Sequence, residues 1–277
     1  TDFVKDVEVV DDYTVKFTLN KPTSYFLALL ATPPYFPVHP AYKENEIDTD
    51  QTAGGVGPYK IVEWKRDQEL ILEPNPYFFG DKPKTDRIVV RFYKDATTLR
   101  LAIEKGEIDI AWRTLTPIDI ESLKANANLN VIEAPGGFIR YLVLNGNETT
   151  EYPTKDVNVR KAIAAAIDRN DIAERVYRGT VEPLYSLVPI GMWSHVDVFK
   201  DMYGDGNIDL AKQYLQNAGY SEDNKLKLEL WWTPTHYGDT EKDLAQVLKE
   251  QLEKTGMIEV ELKSAEWSTY VDYARKG

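Results

Sequence analysis

The sequence predicts an α/β fold in which mixed sheets are flanked by helices. Two observations predict it. A helical stretch over 96–105 ends at Gly106 and leads straight into the alternating Ile108, Ile110 and Trp112, as the return limb of an α/β unit does. Later, a strand over 226–232, a helix over 240–254 and a strand over 258–262 follow one another in the order of a right-handed parallel crossover. A length of 277 residues with 43% hydrophobic content supplies a sizeable core, spread over one to two domains or lobes.

From the start of the chain, Val7 to Val10, the turn Asp11-Asp12 and Tyr13 to Leu19 read as a hairpin, and Ser24 to Leu30 as a short apolar helix. Pro33, Pro34, Pro37 and Pro40 then impose an irregular crossing, with Tyr35 and Phe36 read as a hydrophobic plug under a loop rather than a cleft wall. Gly54, Gly55 and Gly57 precede Pro58, which pushes Gly57 towards extended backbone and starts a strand at Tyr59. Leu70 to Leu72 closes a second hairpin, the aromatic cluster at 77–79 seals a small sheet, and Arg87 to Tyr93 is a third strand.

Leu99, Ala102 and Ile103 then share one face of the helix over 96–105. Ile118 to Lys124 reads as a short helix, and Asn130 to Glu133 as a strand leading to Pro135-Gly136-Gly137. Phe138 to Leu144 reads as an apolar strand that ends in the turn Asn145-Gly146-Asn147. Asp156 caps a helix that buries Val159, Ile163, Ala166 and Ile167. A second helix begins near Asn170 or Asp171 and stops at Gly179, and Asp209 caps a third that ends at Gly219. Thr240 with Asp243 resembles a capping box on the crossover helix, whose Leu244, Val247, Leu248 and Leu252 face inward.

Composition excludes several functions. No apolar run reaches the roughly 18 residues of a membrane span. A net charge of −12 with no basic stripe argues against nucleic acid as a partner. The absence of Cys excludes disulfides and thiolate metal sites. His39, His195 and His236 lie far apart and read as packing or surface residues, so neither a metal nor another cofactor is expected. The glycines at 54–57 lack the Lys-Ser/Thr ending of a phosphate loop, and Pro58 removes an N–H that such a loop would use. Glu107 and Asp109 share a face if their segment is a strand, which raises a glycoside hydrolase with carboxyls about 5 Å apart. The favoured reading gives them helix-exit solvation and local hydrogen bonds instead.

Several motifs occur in order along the chain: Gly55-Val56-Gly57-Pro58-Tyr59 followed by Trp64; Asn75-Pro76 with Gly80; Gly106-Glu107-Ile108-Asp109; Val159-Arg160-Lys161-Ala162-Ile163 with Ala166-Ile167-Asp168-Arg169; and Ala218-Gly219-Tyr220. Together they resemble the extracytoplasmic solute-binding proteins of the oligopeptide, dipeptide and nickel ABC-transporter family, family 5. The resemblance implies a periplasmic-binding-protein-like two-lobed fold of class II type, present in part. Residues 1–50 then belong to an extra N-terminal lobe region, 51–144 to lobe I and 145–277 to lobe II, with a hinge near 144–147. Because family members are much longer, the chain is expected to be a middle portion lacking N- and C-terminal parts, and to bind peptide weakly when isolated.

The resemblance implies a binding component, not an enzyme, that captures an extended solute and delivers it to membrane permease subunits. An oligopeptide is the default ligand, with oligosaccharide or nickel complex as alternatives within the class. It further implies a monomer outside the cytoplasm, periplasmic or lipid-anchored at the cell surface in its full-length form. Site candidates placed near the interlobe cleft are Trp112, Arg113, Thr114, Tyr141 and Asn145. Arg113 can pair with a ligand carboxylate or carbonyl, or serve as a surface ion pair.

Overall fold

The structure, a computed structural model, describes residues 3–38, 55–113, 115–134, 136–149, 151–234 and 236–276. Gly54, His39, Pro40, Pro135 and the site candidate Thr114 lie outside the described residues. The chain divides into two compact units, Thr1–Tyr93 and Lys94–Gly277.

The first unit opens with β1 (Val4–Asp11) and β2 (Thr14–Leu19), an antiparallel hairpin in which Val7 pairs with Phe17 and Glu8 with Lys16. Its turn is held by Asp11, whose Oδ1 accepts from the Tyr13 N–H at 2.8 Å. The apolar helix α1 spans Phe26–Leu30, and the prolines that follow make one 3₁₀ turn, Pro33–Tyr35. Phe36 is 52% exposed, so only half-buried Tyr35 fits the expected plug. An antiparallel sheet of β3 (Tyr59–Lys65), β4 (Glu69–Pro74) and β5 (Ile88–Arg91) follows, with Ile71 buried on the central strand. The aromatic cluster does not seal this sheet. Tyr77 and Phe79 are almost fully exposed, because Asn75 spends its side chain on the Tyr77 N–H and on the carbonyls of Gly55 and Gly57, forming a turn that points outward.

The second unit begins with α2 (Ala96–Glu104), capped by Asp95 and buried through Leu99 and Ala102. Gly106 takes the expected left-handed conformation at φ +69°, and the Glu107 N–H reaches back to the Ala102 carbonyl, closing the helix end. Next come α3 (Pro117–Lys124), α4 (Val157–Ala166) and α5 (Arg169–Arg175). They are followed by α6 (Val198–Tyr203) and α7 (Ile208–Asn217). The unit closes with β6 (Leu226–Trp232), α8 (Glu241–Glu253), β7 (Ile258–Ser264) and α9 (Trp267–Lys276). β6 and β7 pair in parallel with Leu226 opposite Ile258, so the strand, helix, strand order read from the sequence does form a crossover.

The core lies between that crossover and α4 and α7. Val159 and Ile163 of α4, Leu215 of α7, Leu226 of β6, Leu248 and Leu252 of α8 and Val260 of β7 form one buried cluster. Ala162, Ala165, Ala166 and Ala211 are almost completely buried, and their small side chains let helix backbones approach closely. At its edge, the buried Gln251 of α8 donates from Nε2 to the Asp168 carbonyl and to Asp171 Oδ2, and accepts from the Asp168 N–H on Oε1. This amide locks α8 onto the junction of α4 and α5.

Several expectations require correction. Residues 108–112, 130–133 and 138–144 form no strand, because no neighbouring strand pairs with them among the described residues. Leu142 and Leu144 still pack on the core while Tyr141 and Val143 are exposed, so the period of two reports burial without pairing. The cap of α7 is Asn207, which accepts from the Leu210 N–H; Asp209 lies inside the first turn. α5 begins at Arg169 with Asp168 as its cap, close to the expected start near Asn170, but it ends at Arg175, short of the expected stop at Gly179. Thr240 makes no capping bond, since its own backbone is helical (φ −77°, ψ −10°) and a capping side chain needs extended backbone to reach the free N–H groups.

Candidate functional site

Two helix starts and the segment over 138–144 of the second unit meet at a cavity of about 180 Å3. Thr116 and Pro117 at the start of α3 line it, as do Gly238, Asp239 and Thr240 before α8, Arg140 from the segment over 138–144, and Tyr177, Thr180 and Tyr237. Each wall is fixed locally. Thr116 and Asp119 form a reciprocal capping box: Thr116 Oγ1 accepts from the Asp119 N–H at 3.2 Å and Asp119 Oδ2 accepts from the Thr116 N–H at 2.9 Å, with a further bond from Thr116 Oγ1 to Oδ2 at 2.6 Å. Burial pushes the Asp119 carboxyl up, but the Thr116 bonds and Arg100 outweigh it and hold Asp119 below the usual carboxylate range. Arg140 is held by Leu142 two residues on, which packs against the core.

Arg140 organises the polar side of the cavity. Its Nη2 donates to the Tyr237 carbonyl at 2.7 Å and lies 3.3 Å from Glu241 Oε1, while its guanidinium sits 4.4 Å from the centre of the Tyr237 ring. Glu241 is 8% exposed and Tyr177 9% exposed; Glu241 Oε1 is met by the Arg140 ion pair, and the Tyr177 hydroxyl has only Thr240 and Arg140 acting on it. Burial pushes the Glu241 carboxyl up, and Arg140 draws it back only in part. Burial and then the Glu241 charge push the Tyr177 phenol up against weaker opposition from Arg140 and Thr240. An aromatic group adjoins: Trp267 stacks on His236 at 3.6 Å and meets Tyr237 edge-on at 5.4 Å. Burial raises the Tyr270 phenol, with smaller contributions from Tyr237, Glu241 and Tyr141, which places Tyr141 within electrostatic reach of this group.

The candidates named from the sequence fall into three places. Tyr141 is 65% exposed beside the cavity's aromatic neighbours. Trp112 is 76% exposed and stands with Arg113, whose guanidinium lies 5.2 Å from the Trp112 ring and 5.6 Å from the Phe138 ring. Arg113 has φ +67°, a conformation uncommon outside glycine and worth notice at a surface of this kind. Asn145 uses its side-chain oxygen on the Asn147 N–H, shaping the turn. Glu107 and Asp109 are exposed, and neither lines the cavity; Glu107 lies 3.9 Å from Lys105. His195 bonds the Val188 carbonyl and Asp197, and His236 lies on Trp267, so each is engaged locally. Among the described residues no group of three metal-binding side chains occurs, and no helix is long and apolar enough to cross a membrane. Arg140, Tyr177, Tyr237 and Glu241 carried no signal in the sequence. Glu241 reads there as an ordinary acid in a first helical turn, and no spacing links it to Arg140.

The description "bacterial extracellular solute-binding proteins, family 5 Middle" matches residues 1–277. The chain belongs to that family. This family 5 chain is 30% identical over 279 residues to the oligopeptide-binding protein OppA of Bacillus subtilis, across 96% of this chain and 50% of that protein. It is 26% identical over 284 residues to the dipeptide-binding protein of Escherichia coli, across 100% of this chain and 51% of the relative. Among solved structures, the family 5 fold matches the periplasmic binding protein DppA of Helicobacter pylori in complex with the peptide STSA. That match has a TM-score of 0.79 at 28% identity, over 98% of this chain and 51% of that one. It also matches NikA of Brucella suis in complex with Fe(III)-EDTA with a TM-score of 0.81 at 26% identity, over 99% and 57% of the two chains. The chain spans about half the length of the curated relatives it matches.

Proposed function

We propose that the protein is the solute-binding component of an ABC importer, capturing an extended solute outside the cytoplasm and passing it to permease subunits in the membrane. The solute is an oligopeptide. The observation that carries this reading is the family match over residues 1–277, joined to relatives named for oligopeptide and dipeptide binding. A polar cavity with an oriented guanidinium and an aromatic neighbourhood suits holding a solute. Trp112, Arg113, Thr114 and Tyr141 are proposed as solute contacts, with Asn145 shaping the turn at 144–147 through which the chain passes between lobes. Closure on solute then draws its free energy from contacts made only in the closed form. The protein works as a monomer and performs no chemical step.

Mass spectrometry of small molecules released from the full-length protein, followed by titration calorimetry with the peptides found, tests this reading. Peptides that bind at micromolar affinity or better, on the order of −8 kcal/mol, are the expected result. Recovery of an oligosaccharide or a nickel complex with no peptide binding refutes the ligand, and glycoside turnover that is lost when Glu107 and Asp109 are replaced refutes the class.

A further inference from the structure

Asn145-Gly146 is the only place in the sequence where Asn is followed by Gly. Such a pair carries a reaction of its own. The backbone nitrogen of the second residue attacks the side-chain amide of the first, and a glycine there leaves that nitrogen unshielded by a side chain. In a folded chain the local hydrogen bonds decide how fast this runs.

In this turn both carbonyl groups that the attack uses already accept hydrogen bonds. The Asn145 main-chain carbonyl accepts from Thr154 Oγ1 at 2.7 Å, and Asn145 Oδ1 accepts from the Asn147 N–H at 3.0 Å. A donor on the main-chain carbonyl draws electron density out of the 145–146 peptide and makes the Gly146 N–H more acidic. A donor on Oδ1 polarises the Cγ carbonyl and stabilises the oxyanion that attack on Cγ creates. The other two atoms are unrestrained. Neither the Gly146 N–H nor Asn145 Nδ2 makes a hydrogen bond among the described residues, and Gly146 is exposed to water. Asn126 and Asn147 supply internal comparisons. Each accepts on Oδ1 from the N–H two residues on, at 3.0 Å, but Ala127 and Glu148 follow them in place of glycine.

We propose that Asn145 is a self-modification site, at which the fold activates both nucleophile and electrophile for succinimide formation. Hydroxide removes the Gly146 N–H proton, the nitrogen bonds to Asn145 Cγ, the Cγ–Nδ2 bond breaks, and Nδ2 takes a proton from water and leaves as ammonia. Water then opens the imide: attack at Cγ gives aspartate, and attack at the main-chain carbonyl gives isoaspartate. Either way one neutral amide becomes one carboxylate. The new charge arises one residue from a guanidinium. Arg160 Nη1 donates to the Thr154 and Lys155 carbonyls at 2.8 Å each and lies 3.8 Å from where a Cβ on Gly146 would stand.

Peptide mapping by mass spectrometry of the full-length protein, sampled during incubation in mildly alkaline buffer, reads the reaction as a gain of about one dalton at residue 145. Asn145 is expected to convert at least about tenfold faster than Asn126 and Asn147 in the same sample, and at least as fast in the native protein as in protein unfolded in urea. Thr154→Val should slow the native reaction about fivefold, the worth of one hydrogen bond, and leave the rate in urea unchanged. Thr154→Ser keeps the hydroxyl and should keep the natural rate, which separates the hydrogen bond from a folding defect. Gly146→Ala, whose Cβ meets only Arg160 Nη1, should slow the reaction about tenfold in both states. Slower conversion in the native protein than in urea overturns the proposal, as does conversion of Asn126 or Asn147 at the rate of Asn145. A Thr154→Val variant that reacts as fast as the natural protein, or a Thr154→Ser variant as slow as Thr154→Val, overturns it too.

Discussion

Replacing Gln251 by Leu should unfasten α8 from the junction of α4 and α5. The side chain is 1% exposed and makes three hydrogen bonds: 3.0 Å from the Asp168 N–H, 3.0 Å to the Asp168 carbonyl and 2.9 Å to Asp171 Oδ2. Leu preserves the volume but satisfies none of these groups, and water has little access to them. Leaving a buried donor and a buried acceptor without partners costs about 1–3 kcal/mol each, and the lost bond to a charged Asp adds to this. Burial of the Leu methyl groups returns about 1 kcal/mol. The net loss is about 3 kcal/mol, which at a slope of about 2 kcal/mol/M lowers the urea midpoint by about 1.5 M. Tryptophan fluorescence is a suitable probe, since Trp112, Trp193, Trp231, Trp232 and Trp267 all lie in the second unit. Acid adds a second readout. Burial pushes Asp171 up, but its bonds from Gln251 and Arg175 win and hold it below its ordinary value. The stability it supplies is therefore present above the unfolded pKa near 3.9 and is lost as pH falls through the folded value, so the Leu variant should lose less on acidification. A midpoint shift under about 0.3 M would refute the assignment of Gln251 as the clamp.

Thr116→Val removes the side-chain half of the capping box and the hydroxyl bond to Asp119 while leaving the Thr116 N–H bonded to Asp119, and should cost about 1 kcal/mol; a double-mutant cycle with Asp119→Ala should show the two effects to be non-additive. Gly206→Ala places a Cβ at φ +57° and 3.3 Å from the Asp168 Cβ, which should destabilise by about 1–2 kcal/mol in thermal unfolding. Glu241→Gln should gain on the natural protein as pH rises. The folded pKa of Glu241 is raised by burial, so the natural protein loses stability between the unfolded value near 4.3 and the higher folded value, and the variant has no such proton to release. Urea midpoints of both proteins at pH 4 and pH 8 check this, and a variant that falls further behind at pH 8 contradicts it.

The legibility of the fold varied with the range of the interactions involved. The helix over 96–104, its stop at Gly106, the capped start of α4 at Asp156 and the crossover from Leu226 to Ser264 were all readable, because their signals are local. The segments over 108–112, 130–133 and 138–144 were misread as strands. Their apolar alternation is real, and Leu142 and Leu144 are indeed inward. A strand, however, is defined by a neighbour, and alternation in one segment carries no information about whether a neighbour is present. The candidate site divided in the same way. Tyr141 was named from the family resemblance, whereas Arg140, Tyr177 and Glu241 come together only through contacts between residues remote in sequence.

By itself, the sequence determined the family, the α/β class, the parallel crossover and the cap at Asp156, since turn chemistry and periodicity act over a few residues. Tertiary structure alone decided that Gln251 fastens α8 at Asp168, that Thr240 leaves its helix start uncapped, and that Glu241 meets Arg140 at the rim of a cavity. Those outcomes depend on burial and on the charge of a distant partner. Both are properties of the packed chain rather than of any stretch of it.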